Sequence, residues 1–299
     1  MNTALLIIGT ASGFGHSVYS AISKIVLKDR VRTPLLFLLY INIFQALATM
    51  VLWVKVDPIL PPREGWEPLL AAGLTCLLAY LFLYSSLSCG DVSSVMPIMG
   101  SKVIFSGVLA RLMLGEGHSW PIYLAIVLVA VSVAVLSYSP SREQHTHFRM
   151  RPIVLMLLCC VIFSFTDIFI KRSLVYLDSA NFLVYYNLIV GTASLFIIPY
   201  LKLRGIPLRI PQRDMLTILL SAVFLIGSTL LFVQALKIAE GVVIPNILMA
   251  TRGVFVVLIS LVMTHRGSTM LDEQSKSVYA FRFAASLLIV LSIVIALKN

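Results

Sequence analysis

Apolar runs of about twenty residues follow one another along almost the whole chain, separated by short polar interruptions. Ten of them lie at about 5–27, 35–55, 66–88, 92–114, 120–138, 152–175, 180–201, 214–236, 242–264 and 278–297. Each has the roughly 20 residues that a helix needs to cross a bilayer, so the pattern predicts an all-α membrane protein with ten transmembrane helices. Charged side chains deep inside the runs are rare, and two cations fall near mid-run, Lys102 in the fourth run and Arg252 in the ninth. If the fourth run starts a helix near Ser93, Lys102 lies about 13 Å along it, and Arg252 lies about 15 Å into its own; both depths fall near the middle of a core about 30 Å thick. A cation there costs at least a few kcal/mol even on the gentlest insertion scale, and calls for a partner or a watery cavity.

The two cations are 150 residues apart, and other polar positions repeat at nearly the same offset. Ser101-Lys102 answers Thr251-Arg252, and Phe105 answers Phe255. FLLYINIFQALAT from Phe37 matches FLVYYNLIVGTAS from Phe182, each with a Tyr-x-Asn at Tyr40 and Asn42 or at Tyr185 and Asn187. Phe14, Ser17 and Asp29 align with Phe163, Thr166 and Asp178. These matches divide the chain into two five-helix halves, residues 1–149 and 150–299. Five spans is an odd number, so the second half enters the membrane upside down relative to the first. That is the inverted repeat of secondary transporters, which bind substrate at the midplane between the repeats. Runs five and ten carry almost no polar side chains and suit a scaffold role, while Pro97 and Pro245 can free a backbone turn beside a cavity.

Composition agrees with the spans: of 299 residues, 59% are hydrophobic and only 12% charged, and the mean hydropathy is +0.98. The polar connections are too short for a soluble domain, so any chemistry belongs to the membrane region. The net charge of +10 comes from Lys and Arg in short loops beside spans, which suits lipid headgroups and orientation rules and removes the case for nucleic acid. With the N-terminus inside, six basic residues would lie at cytoplasmic helix ends and twelve on the opposite face, so the charge count favours both termini outside. The first run has no basic leader or small-residue cleavage site and is expected to be retained. Cys76, Cys89, Cys159 and Cys160 all lie in or at the ends of apolar runs, where they act as small hydrophobes rather than as a disulfide or metal framework.

LFLYSSLSCGDVSSVMP from Leu81, ARLMLGE from Ala110 to Glu116, and LFVQALKIAEGVVIP from Leu231 together resemble the drug/metabolite transporter superfamily in its ten-helix form with two EamA-type repeats. The second half departs from the pattern, with Thr264, His265 and Arg266 where Leu-Gly-Glu would stand. The resemblance implies a central cavity lined by helices three, four, eight and nine, with one and six alongside, and alternating access between the halves. It also implies a bacterial inner-membrane or plasma-membrane location with both termini inside, against the charge count. Plastid phosphate translocators share this fold and hold phosphate with basic residues on helices four and nine, which Lys102 and Arg252 resemble in placement.

The candidate binding residues are Lys102, Arg252, Tyr84, Gln234 and Asn246. A guanidinium can grip a phosphate or carboxylate bidentately, whereas an ammonium is a movable point charge. Asp167, the one carboxylate deep in a run, can neutralise one of the two cations. It could couple protons, act as a displaceable counter-ion, or be a static partner. His16 could sense protons or simply be packed. Asn42 and Asn187 are expected to tie helices together, and Lys24, Lys171 and Arg172, near helix ends, to snorkel to headgroups. No His-Glu-x-x-His, second deep aspartate or Gly-x-x-x-x-Gly-Lys-Ser/Thr loop occurs, which argues against an intramembrane enzyme and against ATP-driven transport. The expectation is a cofactor-free secondary transporter for a small organic anion or zwitterion, coupled to protons or a counter-substrate if coupled at all. A neutral or amino-acid-like substrate, or a non-transporting scaffold, is the alternative.

Overall fold

The computed structural model describes residues 3–29, 31, 33–54, 56–90, 92–137, 150–265 and 288–296. Four long helices make its centre: α1 (Thr3–Asp29), α3 (Arg63–Cys89), α7 (Met150–Ser173) and α10 (Gln212–Ile238). At 24 to 27 residues, each reaches about 36–40 Å, enough to cross a bilayer. Around them lie α2 (Pro34–Thr49), α6 (Trp120–Ser137), α8 (Ser179–Ser194) and the short α9 (Ile197–Leu203). Among the described residues, seven helices are long and apolar enough to cross a membrane. Of the expected tenth span, 278–287 lies outside the described residues and 288–296 is helical.

The fourth and ninth runs differ from the single helices expected of them. The fourth comprises α4 (Val92–Val95), a 3-10 stretch over Met96–Ser101, and α5 (Lys102–Leu114). The ninth comprises α11 (Val243–Met249) and α12 (Arg252–His265). Both cations are thus the first residue of the helix that follows a break. Pro97 lies within the 3-10 stretch and removes a backbone donor there, whereas Pro245 is the third residue of α11, upstream of the break at 250–251. Serine hydroxyls bond carbonyls at both breaks: Ser101 Oγ donates to Ile98 O at 2.7 Å, Ser164 Oγ to Lys102 O at 3.2 Å and Ser17 Oγ to Arg252 O at 2.9 Å.

Small and hydroxyl residues hold the long helices together. On the α1–α10 seam, Ser12 Oγ donates to Ser228 O at 2.8 Å and Ser23 Oγ lies 2.9 Å from Ser221 Oγ. On the α3–α7 seam, Thr166 Oγ1 donates to Thr75 Oγ1 at 3.0 Å and Ser86 Oγ to Pro152 O at 2.6 Å. Glycine lets α1 come closest to the ninth run: a Cβ on Gly13 would collide with Thr251 Oγ1 and lie 3.3 Å from the Arg252 nitrogen. The expected inter-helix role of the two asparagines is not what the contacts give. Asn42 accepts from Gln45 of its own helix at 3.3 Å, and the amide nitrogens of Asn42 and Asn187 have no partner.

Two lysines expected at the headgroups instead cap helices. Lys24 is 5% exposed and donates to Leu87 O at 3.0 Å and Gly90 O at 2.7 Å, where α3 ends. Lys171 donates to Leu236 O at 2.8 Å and Ala239 O at 2.6 Å, where α10 ends. A helix C-terminus carries unpaired carbonyls and partial negative charge, so an ammonium satisfies both needs. Arg172, also expected to snorkel, donates to Met113 O at 2.9 Å.

Candidate substrate cavity

The two helix breaks meet, with Arg252 donating to Met99 O of the 3-10 stretch, and together they line a cavity with α1, α3, α7 and α10. It encloses about 50 Å³, well below the roughly 300–1,000 Å³ of a drug-sized ligand pocket. Lys102, Arg252, Asp167 and His16 all line it, as the hydropathy pattern led us to expect of mid-depth polar groups. Most of the remaining wall is aromatic or aliphatic.

The cations differ in what they touch. Lys102 Nζ lies 3.0 Å from Asp167 Oδ1 and 2.8 Å from Oδ2. The same ammonium sits 4.8 Å from the ring centre of Phe232 and 5.5 Å from that of Phe163, so a carboxylate and two π-faces share its charge. Asn246 fixes the carboxylate from behind, donating from Nδ2 to Asp167 Oδ2 at 2.7 Å and to Val242 O at 3.0 Å. Arg252 donates from one terminal nitrogen to Met99 O at 3.3 Å, its Nε has no hydrogen-bond partner, and the residue is 4% exposed. No described carboxylate forms an ion pair with it.

His16 holds Ser12 O with Nδ1 at 3.0 Å. A carbonyl can only accept, so Nδ1 carries the proton and Nε2 is the nitrogen left for other partners. Three expected contacts lie elsewhere. Tyr84 is fully buried behind the wall, where its hydroxyl receives the Tyr19 O–H at 2.6 Å and its ring packs against Tyr80 and Phe37. Gln234 is half-buried on α10 and is absent from the lining. Asn246 is 2% exposed and acts through Asp167 rather than facing the cavity. In their place stand Tyr19, Tyr80, Tyr186 and Thr229. Tyr19 follows His16 by three residues and so shares its helix face, a signal available in the sequence. Tyr186 is the neighbour of the Tyr-x-Asn tyrosine rather than that tyrosine itself.

Residue Glu116, part of the Leu-Gly-Glu motif, reaches from the end of α5 to the start of α11. Gly115 ends α5 with φ 69°, a left-handed cap that suits glycine. Both carboxylate oxygens of Glu116 then accept the Val242 N–H at 3.2 Å, and a Cβ on Gly241 would approach its Cδ to 2.9 Å. The α10–α11 turn is therefore held by a carboxylate at one helix start and by Lys171 at the other helix end, each matched to the local dipole.

Residues 3–138 match the EamA-like transporter family. No curated protein matches the chain. Among 28 matching solved chains is one titled only as the crystal structure of a protein, 15% identical, with a TM-score of 0.69 over 99% of this chain and 97% of the other. At that identity the likeness speaks for the fold alone. Together with the seven long apolar helices, the family match makes this a multi-pass integral membrane protein.

Proposed function

We propose, for a chain whose residues 3–138 match the EamA-like transporter family, that it is a secondary transporter moving a small organic anion by alternating access between two inverted five-helix repeats. Pairs of equivalent contacts support the repeats. Helix α1 packs on α10 as α7 packs on α3, and α12 on α1 as α5 on α7. Ser17 binds the Arg252 carbonyl as Ser164 binds that of Lys102. Lys24 caps α3 as Lys171 caps α10. In each pair the second member lies 147 to 150 positions after the first.

The single observation that carries the substrate reading is Arg252, a buried guanidinium in the cavity wall with an idle Nε and no ion pair to any described carboxylate. In a low-dielectric cavity such a charge favours an anion and repels an organic cation. An anion shared equally by Lys102 and Arg252 fits less well, because Asp167 holds the lysine. A neutral substrate would need Asp167 to neutralise Arg252 instead, and that pairing is not the one adopted. The test is exchange of labelled organic anions in liposomes containing the purified protein. Arg252→Lys should weaken uptake by losing the fork, and Arg252→Ala should weaken it more. Undiminished uptake by folded Arg252→Ala would sink the anion reading.

A further inference from the structure

We infer that the groove where α3 begins and α7 ends holds the headgroup of a phosphatidylethanolamine molecule from the bilayer. The two helices run antiparallel, since Thr75 meets Thr166 while Ser86 meets Pro152. The start of α3 at Arg63 and the end of α7 at Ser173 therefore reach the same face of the membrane. Between them lies a groove of about 270 Å³, several times the size of the central cavity and close to the roughly 300 Å³ at which small-molecule sites begin. Two acids of α3, Glu64 and Glu67, line it together with Arg172 of α7 and the apolar surfaces of Phe169, Val175 and Tyr176. Tyr176 is exposed there, as suits an amphipathic ring at the headgroup level.

Among the described residues, neither Glu64 nor Glu67 makes an ion pair or a side-chain hydrogen bond. Glu64 is in the first turn of α3, where the helix dipole favours an acid, but Glu67 lies a turn further in, where that benefit has faded. Arg172 uses one donor on Met113 O, and a guanidinium carries five, so the rest of its fork is open to an oxyanion. Two acids and one guanidinium in one groove match a ligand that carries both signs. In phosphatidylethanolamine the phosphodiester suits the fork, and the primary ammonium can donate to both carboxylates. A choline headgroup keeps the positive charge but its methylated nitrogen donates nothing. A glycerol headgroup has no cation, and would bring its phosphate up to two unpaired acids. The acyl chains also have a path. Leu74 and Leu78 follow Glu67 by seven and eleven residues and so share its helix face, while Leu158 precedes Phe169 by eleven on the matching face of α7. All three leucines are exposed, so the surface leading from the groove toward the bilayer centre is apolar.

The experiment is native mass spectrometry of the full chain in detergent, titrated with phosphatidylethanolamine, phosphatidylcholine or phosphatidylglycerol of identical acyl chains. The expected result is one phosphatidylethanolamine retained at least about tenfold more tightly than either other lipid, the worth of about one charge-assisted hydrogen bond. Glu64→Gln combined with Glu67→Gln should bring phosphatidylethanolamine down to the phosphatidylcholine level. Arg172→Gln should weaken those two lipids alike, because both present the same phosphodiester. Equal retention of the three lipids by wild type, or retention of none, overturns the inference. An ethanolamine preference that survives the double glutamine variant overturns it too, by placing that lipid elsewhere on the surface. Tighter binding of phosphatidylglycerol replaces it with an anionic-lipid site, and displacement of the lipid by soluble phosphoethanolamine at a similar concentration replaces the bilayer source with a free metabolite. Glu64, Glu67 and Arg172 are all exposed, and gel filtration of each variant keeps loss of binding apart from loss of fold. Should Arg172→Gln aggregate for want of its bond to Met113, the double glutamine variant decides alone.

Discussion

Lys102 and Arg252 are alike in setting, each the first residue after a helix break and each with its carbonyl held by a serine from a packed helix. Their side chains have opposite fates. The lysine is bound by Asp167 and two aromatic rings, while the arginine has one backbone acceptor and an unpaired Nε. Similar backbone settings thus place two cations in one cavity wall, and a single acidic residue on α7, Asp167, pairs with the lysine.

Removing that acid should have the largest effect. Asp167→Ala leaves the buried Lys102 ammonium without its counter-ion, and breaking one side of a buried pair costs about 3–5 kcal/mol. The thermal midpoint in detergent should fall accordingly, and Lys102→Met combined with Asp167→Leu should recover much of it. A single Asp167→Ala as stable as wild type would mean that the pair is not buried as described. Arg252→Ala should do the reverse. It should leave the midpoint near wild type while reducing anion binding by roughly ten- to a hundredfold, the worth of a charge-assisted hydrogen bond or two. A large drop in stability with intact binding would erase the contrast between the two cations.

The lysine caps sharpen the comparison at lower amplitude. Lys24 is buried at its capping site and Lys171 only half-buried, so water can replace the second far better than the first. Lys24→Met should cost about 2 kcal/mol and Lys171→Met about 1, for carbonyls left unpaired at a helix end. Equal midpoints for the two variants would show that burial does not separate them.

Much of this was legible in the polar pattern. Mid-depth cations, one deep acid and a repeat offset are visible because polar residues in hydrocarbon are too costly to be incidental. Which cation takes Asp167 was not visible, since it depends on α5 packing against α7 while α12 packs against α1. The breaks at Lys102 and Arg252 were half visible: Pro97 and Pro245 marked the neighbourhood without fixing the residue where the helix resumes. Lys24 and Lys171 were misread as snorkelling because their acceptors exist only once α3 and α10 stop at Cys89 and Ile238. Tyr84 was expected at the site, whereas Tyr80, four residues before it and on the same helix face, is the one that lines the cavity. Depth in the wall separates them, and a linear pattern carries no such depth.

The smallest effect separates the N-terminal caps of α2 and α8. Thr33 caps α2 by accepting the Leu36 N–H at 3.2 Å. Asp178 caps α8 by accepting the N–H of Ala180 at 2.8 Å and of Asn181 at 3.0 Å, and its other oxygen accepts from Asn181 Nδ2 at 2.6 Å. Replacing a cap by alanine costs about 0.5–2 kcal/mol, and the richer Asp178 cap should lie above Thr33 within that range. Asp178 also carries a pH signature. Partial burial pushes its carboxyl up, but the hydrogen bonds from Asn181 and Ala180 outweigh this and hold it below the ordinary carboxylate range. A folded-state pKa below the unfolded one means stability that is fully present above the unfolded value, about 3.9, and lost as pH falls through the folded value. Asp178→Asn keeps a capping oxygen and removes the charge. The midpoint gap between wild type and Asp178→Asn should therefore be constant from pH 7 down to about 5 and close below about 4. A gap that persists unchanged at the lowest pH would assign the cap's strength to geometry alone and make the Thr33 and Asp178 caps alike in kind.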